Sequence, residues 1–185
     1  LETTREPPFV LPDVLAPGLG IVFCGTAAGT ESARRAAYYA HPQNRFWRTL
    51  HEAGLTPRRL SPTEFALLPD FGLGLTDIAK TASGMDRELP RGALGREACA
   101  ALAARIEACA PRVLAFTSLG AGRRFLGRAG AGFGPQAQTL GASAIWLLPS
   151  PSPTAGWNFD IGPWRALAAA GALFPRARSR REGGS

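Results

Sequence analysis

Four short apolar runs, Leu19 to Cys24, Gly72 to Ile78, Val113 to Thr117 and Ala144 to Leu148, alternate with stretches of helical spacing, and this alternation most limits the folds open to the chain. An apolar run of that length bounded by turn residues suits a strand buried on both faces. Asn44 to Ala53 opens on an Asn cap, sets Phe46, Trp47 and Leu50 at core spacing and stops at Gly54. Arg96 to Cys109 repeats Ala98, Leu102, Ile106 and Cys109 on one face and ends before Pro111, and Pro163 to Leu173 has proline in its first turn. Strand and helix in alternation predict an α/β fold, a three-layer αβα sandwich around a short, largely parallel sheet. There is no internal repeat, and the loops are too short for a second domain. A single domain is expected over residues 14–175, between a loosely ordered, proline-containing head (Leu1 to Asp13) and a flexible basic tail (Arg176 to Ser185).

Composition narrows the function classes. At 185 residues and 45% hydrophobic, the chain can bury one real core. The net charge of +7 is carried almost wholly by arginine, since Lys80 is the only lysine. Arginine's planar fork suits bidentate contacts to phosphate. The tail, however, sets four Arg against one Glu and so holds three of those net charges, leaving the domain mildly basic. Cys24, Cys99 and Cys109 form no CxxC pair, and His41 and His51 are too few for a metal site, so neither metal nor redox cofactor is expected. The longest apolar runs fall short of a membrane span and no export signal opens the chain, which points to a soluble cytoplasmic monomer.

In parallel sheets ligands bind beyond the carboxyl ends of the strands. The segments to inspect are therefore GTAAG (Gly25 to Gly29), the Thr76-Asp77 pair, Ser118, and SPSPTAG (Ser150 to Gly156). The loop GTAAGTESARR lacks both G-x-G-x-x-G and a phosphate-loop Lys-Ser/Thr pair, and alone reads as a tight strand-to-helix turn. The segment after it, YYAHPQNRFW (Tyr38 to Trp47), adds two aromatics and a His-Pro turn before a capped aromatic helix.

Three segments, APGLGIVFCGTAAGTESARRAAYYAHPQNRFW (Ala16 to Trp47), GLGLTDIAKTAS (Gly72 to Ser83) and LLPSPSPTAG (Leu147 to Gly156), together resemble the mismatch-specific uracil and thymine DNA glycosylases of the uracil-DNA glycosylase superfamily. Members of that family carry GINPG, then a stacking aromatic and H-P-x-N-R-F-W, then a G-x-T-N/K segment, then a motif of N-P-S-G or H-P-S-P type. The resemblance implies an enzyme without cofactor or metal whose partner is damaged or mismatched double-stranded DNA. It would flip uracil, and also thymine or other damaged pyrimidines opposite guanine, out of the stack and hydrolyse the bond to deoxyribose. Extrusion costs a few kcal/mol of unstacking and unpairing, so a pocket must hold the base and a wedge must fill the gap.

The family pattern places Thr26, Tyr39, Asp77 and Ser150 against the base, with Tyr39 stacking on it and Tyr38 as the competing aromatic. It places Gly25, Ala27, Gly29, Ser32, Asn44, Ser152, Pro153, Thr154 and Ala155 against the DNA, with Thr154 at the wedge position. Threonine is a poor plug, and Trp157 is the alternative. Ser150 stands where relatives set Asn or His against the base O2, which implies a slower enzyme.

The main departure is Ala27, at the position where GINPG holds the attacking water with Asn. Either the domain binds damaged DNA without cleaving it, or a carboxylate has taken over, positioning water and stabilising the cationic sugar. Asp77 is the leading candidate, with a helix-cap or turn role as its plainer alternative, and Asp86 and Glu31 are the other carboxylates. Asp77 could also accept a hydrogen bond from uracil N3–H. Arg34, Arg35, Arg45, Arg123 and Arg124 are candidate phosphate contacts. A hydrolase of free nucleosides or nucleotides is the remaining class, and it would show no salt-sensitive DNA affinity.

Overall fold

A computed structural model describes residues 8–171. Five strands form one sheet in the order β2-β1-β3-β5-β4. β1 (Ile21–Ala28), β2 (Leu73–Ser83), β3 (Val113–Phe116) and β5 (Ser143–Leu147) run parallel, and β4 (Gly134–Leu140) joins β5 antiparallel at the edge. The helices are α1 (Thr30–Arg35), α2 (Phe46–Glu52), α3 (Arg96–Cys109), α4 (Leu119–Leu126) and α5 (Gly162–Gly171). This is the α/β sandwich expected from the alternation, with an edge strand that the apolar pattern did not show. β4 reads GPQAQTL and alternates half-buried with exposed positions, so it lacks the continuous apolar run that marks the central strands.

The two faces of the sheet carry separate cores. On one, Ile21, Phe23, Leu73, Leu75, Val113, Ala115 and Trp146 pack with Phe46, Trp47 and Leu50 of α2 and Trp164 and Leu167 of α5. On the other, Val22, Cys24, Leu114, Phe116, Ile145 and Leu147 pack with Leu102 and Ile106 of α3 and Ala121 of α4. Phe23 is the hinge of the first core, stacked on Trp164 at 5.6 Å and edge-on to Phe46 at 5.6 Å.

Two boundaries differ from the sequence reading in ways that matter for the site. β2 runs on to Ser83, so Asp77 is a mid-strand residue paired with Gly25, one step beyond the end of the β1–β3 pairing at Cys24–Phe116. Small residues in β1 (Gly25, Ala27, Ala28) let the two strands continue together past the sheet centre, with a register shift between Ala27 and Ala28. The second correction concerns the head. Within its described part, Leu11 is buried, the Val10 amide donates to the Lys80 carbonyl and Asp13 is ion-paired, just before Val14 bridges Leu75, so Val10, Leu11 and Asp13 are tied to the domain. Residues 1–7 and the tail from Arg176 lie outside the described residues. Among the described residues no helix is long and apolar enough to cross a membrane.

Candidate active site

A strand shows every second side chain to the same face. Following the rows that face α2 and α5 beyond their last apolar member leads from Phe23 to Gly25 on β1, from Leu75 to Asp77 on β2, from Ala115 to Thr117 after β3, and from Leu148 to Ser150 after β5. All four line one cavity of about 730 Å³ at the carboxyl end of the sheet. It opens where the chain passes from one side of β1 to the other, the place a doubly wound sheet offers a ligand.

Asp77 is the buried carboxylate among the residues that line this cavity. The residue is 4% exposed, and none of the described residues donates a hydrogen bond to its carboxylate. Gly25 makes room for it, because a Cβ there would stand 2.5 Å from Asp77 Oδ1 and 3.3 Å from the Tyr39 hydroxyl. Burial pushes the Asp77 carboxyl up to about 6, opposed by the nearby Lys80 and Arg105 cations and reinforced by Asp13. At neutral pH it is an ionised, unpaired acceptor facing a cavity.

Tyr39 sits across from it. Its backbone is left-handed (φ 51°), a conformation that costs a non-glycine residue about 1 kcal/mol, and the turn sends Tyr38 and Tyr39 to different tasks. Tyr38 is buried, donates to the Pro12 carbonyl at 3.0 Å, and has its own carbonyl held by Trp47 Nε1 at 2.9 Å. Tyr39 stacks on Phe46 with ring centres 3.9 Å apart and pairs its hydroxyl with Thr117 Oγ1 at 3.1 Å, which fixes the ring from behind and at its tip. Ser32 holds the same turn by accepting from the Ala40 amide.

The second loop is docked onto the first. The Arg45 amide donates to the Pro151 carbonyl at 2.9 Å, Asn44 Oδ1 caps the Phe46 amide, and Ser150 and Ser152 accept from the amides two residues on.

A family model for the uracil DNA glycosylase superfamily matches residues 12–173. The chain belongs to that superfamily. Its fold is similar to the solution NMR structure of a candidate uracil DNA glycosylase from Methanosarcina acetivorans, at 20% identity and a TM-score of 0.60, over 88% of this chain and 96% of that one.

In this uracil DNA glycosylase superfamily member, Thr26, Ala27, Gly29, Ser32, Asn44, Ser152, Pro153 and Thr154 also line the cavity, while Ala155 stands outside its lining. Glu31 and Asp86 line it too, at its exposed side. Glu31 is taken up by Arg34 (2.5 Å) and Arg35 (2.5 Å), whose hydrogen bonds hold its carboxyl down to about 2. Those two arginines are thereby engaged, and Arg123, donating to the Ala131 carbonyl, is absent from the lining, as is Arg124. Arg45 reaches the Gly156 carbonyl and lies 5.4 Å from the Phe159 ring centre, beside Trp157, which is 87% exposed.

Sequence reasoning missed several contributors, among them Arg87 and Met85 in the lining and four residues at or beneath Asp77. Thr117 was legible in principle from the same two-residue alternation that yields Asp77. Asp13, Lys80 and Arg105 were not, because they converge from the head, β2 and α3: Lys80 Nζ is 2.8 Å and Arg105 Nε 3.1 Å from the two Asp13 oxygens.

Proposed function

We propose that the protein is a mismatch-directed DNA glycosylase that flips uracil, and other damaged pyrimidines opposite guanine, into this cavity and hydrolyses the N-glycosidic bond with Asp77 as its water-positioning carboxylate. The observation that carries the reading is the contrast among three carboxylates: Glu31 is spent on arginines, Asp86 is exposed, and Asp77 alone is buried, unpaired and aimed past a missing Cβ. Superfamily membership supplies the reaction class, and the three motif segments support the mismatch-directed subclass.

In this reading the flipped base lies on the Tyr39 ring, with the Ser150 hydroxyl donating to its O2. The bond from C1′ to the base nitrogen breaks with its electron pair leaving on the base, so positive charge builds on the sugar. The Asp77 anion stabilises that charge through a low-dielectric path and orients water toward C1′. Water oxygen forms the new bond to C1′, its proton passes to the carboxylate and on to solvent, and the departing base takes a proton from solvent. Trp157, rather than the short Thr154, fills the gap left in the duplex. It is the large apolar side chain exposed beside the Ser150 to Gly156 loop.

The test is release of uracil from a labelled duplex holding one U opposite G, followed by alkaline scission of the abasic strand. Wild type is expected to cleave, and Asp77→Asn to lose about 100-fold or more in single-turnover rate. Full activity in Asp77→Ala overturns the assignment and moves it to Asp86 or Glu31. Tight U:G binding by wild type without any base release would make the domain a damage-binding module.

A further inference from the structure

The floor beneath Asp77 holds a compact group of charges from three distant segments. Asp13 accepts from Thr76 Oγ1 at 2.7 Å and lies against Lys80 Nζ and Arg105 Nε. Lys80, the sole lysine of the chain, is 6% exposed, donates to the Tyr38 hydroxyl at 3.0 Å, and has the Phe9 ring centre 5.1 Å from its ammonium. Arg105 donates to the Asp77 carbonyl at 2.8 Å, and its guanidinium lies 5.9 Å from the same Phe9 ring. Arg105 Nε is buried and stands 3.1 Å from Asp13 Oδ2, out of line for a hydrogen bond. The group contains two cations and one anion before Asp77 is counted.

From that imbalance we infer that Lys80 and Arg105, with Asp13 as partial counter-ion, are positioning residues that hold Asp77 ionised in the cavity and so set the acidic limit of the reaction. The inference rests on the reading of Asp77 given above. With Asp77 protonated, the buried group carries one uncompensated positive charge; with Asp77 ionised it is neutral. In a low-dielectric floor that neutrality offsets part of the desolvation that would otherwise keep the carboxyl protonated. Among the described residues, Glu31 and the exposed His41, Asp86 and Arg87 line the same cavity as Asp77, and the titratable groups at the sheet end are Cys24 on β1, pointing to the opposite face, and Tyr38 and Tyr39 after α1. Burial, with the Asp77 charge as a further cause, pushes these last three up, so they stay neutral through the working range. Lys80, Arg105 and Asp13 are the charged groups whose fields act on the Asp77 carboxyl.

Opposite shifts are the signature. Single-turnover release of uracil from a U:G duplex, measured across pH 4.5–8.5, is expected to show an acid limb that moves up by about 1 pH unit in Lys80→Met and in Arg105→Gln, moves down in Asp13→Asn, and stays in place in Lys80→Arg. A role in folding alone lowers the plateau and leaves the limb where it is. The same direction of shift is expected without substrate, in a carboxyl ¹³C NMR titration of Asp77 in wild type and whichever of Lys80→Met or Arg105→Gln keeps its native circular dichroism. Limbs and titrations that coincide with wild type overturn the inference while Asp77→Asn remains inactive. Activity retained in Asp77→Asn instead removes the reading on which it rests.

Discussion

Replacing Asp77 by Asn removes the charge while keeping the shape, and the structure assigns that change two opposite consequences. An ordinary Asp titrates near 3.8, and burial lifts Asp77 to about 6 in the folded chain. Below about pH 4 the carboxyl is protonated in both folded and unfolded chains and contributes no pH dependence. Between about 4 and 6 the folded chain keeps a proton that the unfolded chain has released, so stability falls as pH rises. Above about 6 the whole cost is in place, and a lift of about two pH units corresponds to about 3 kcal/mol. Asn pays no ionisation cost, although an unpaired amide in the same place forfeits about 1 kcal/mol. Asp77→Asn is therefore expected to melt about 4–8 °C above wild type at pH 8. That advantage shrinks steadily between pH 6 and pH 4, while base release is lost. Denaturant unfolding of both proteins at half-unit pH steps is the assay. The difference between them cancels contributions common to both, such as the Glu31 pairs, which act in a lower window. A difference that is flat from pH 4 to 7 would refute the burial argument, and one of opposite sign would show that the carboxylate has favourable partners when folded.

Gly25→Ala places a methyl 2.5 Å from Asp77 Oδ1, so the carboxylate must move; a drop in excision of about 100-fold with a cooperative unfolding transition retained is expected, and undiminished excision contradicts the placement. Trp157→Ala, at a position 87% exposed, should change stability by less than about 0.5 kcal/mol. It should nevertheless weaken binding to a U:G duplex about tenfold, as loss of one base-stacking contact does, read by fluorescence anisotropy. Deleting Arg176 to Ser185 removes four Arg and one Glu and should flatten the salt dependence of nonspecific duplex binding, with excision intact; excision lost with the tail would place the working positive charge there.

The legible and the hidden parts of this molecule divide along physical lines. Strands buried on both faces announce themselves as apolar runs, so four of the five strands and their largely parallel direction could be anticipated, whereas β4, an edge strand reading GPQAQTL, carries no such signal. Asp77 could be singled out because a carboxylate directly following a buried apolar row is costly unless it has work to do. The divergence of Tyr38 toward the Pro12 carbonyl and Tyr39 toward Phe46 goes with a left-handed backbone at Tyr39, which no residue type there foretells. The head looked loose because three prolines and scattered charges resemble a terminus. What secures it is the pairing of Asp13 with Lys80 and Arg105, contacts with residues 67 and 92 positions away in the chain.

That docked head also changes what counts as the smallest working unit. Similarity to the superfamily begins at residue 12, and a boundary drawn there would spare every strand, every helix and the whole cavity lining except Leu11. It would nonetheless strip Phe9 from beside the Lys80 and Arg105 cations and leave Asp13 at a fraying end. A shortened chain of that kind could keep its sheet and lose the electrical neutrality of its floor. The ion pairs of Asp13 with Lys80 and Arg105 thus tie the chain to the domain several residues before β1 begins.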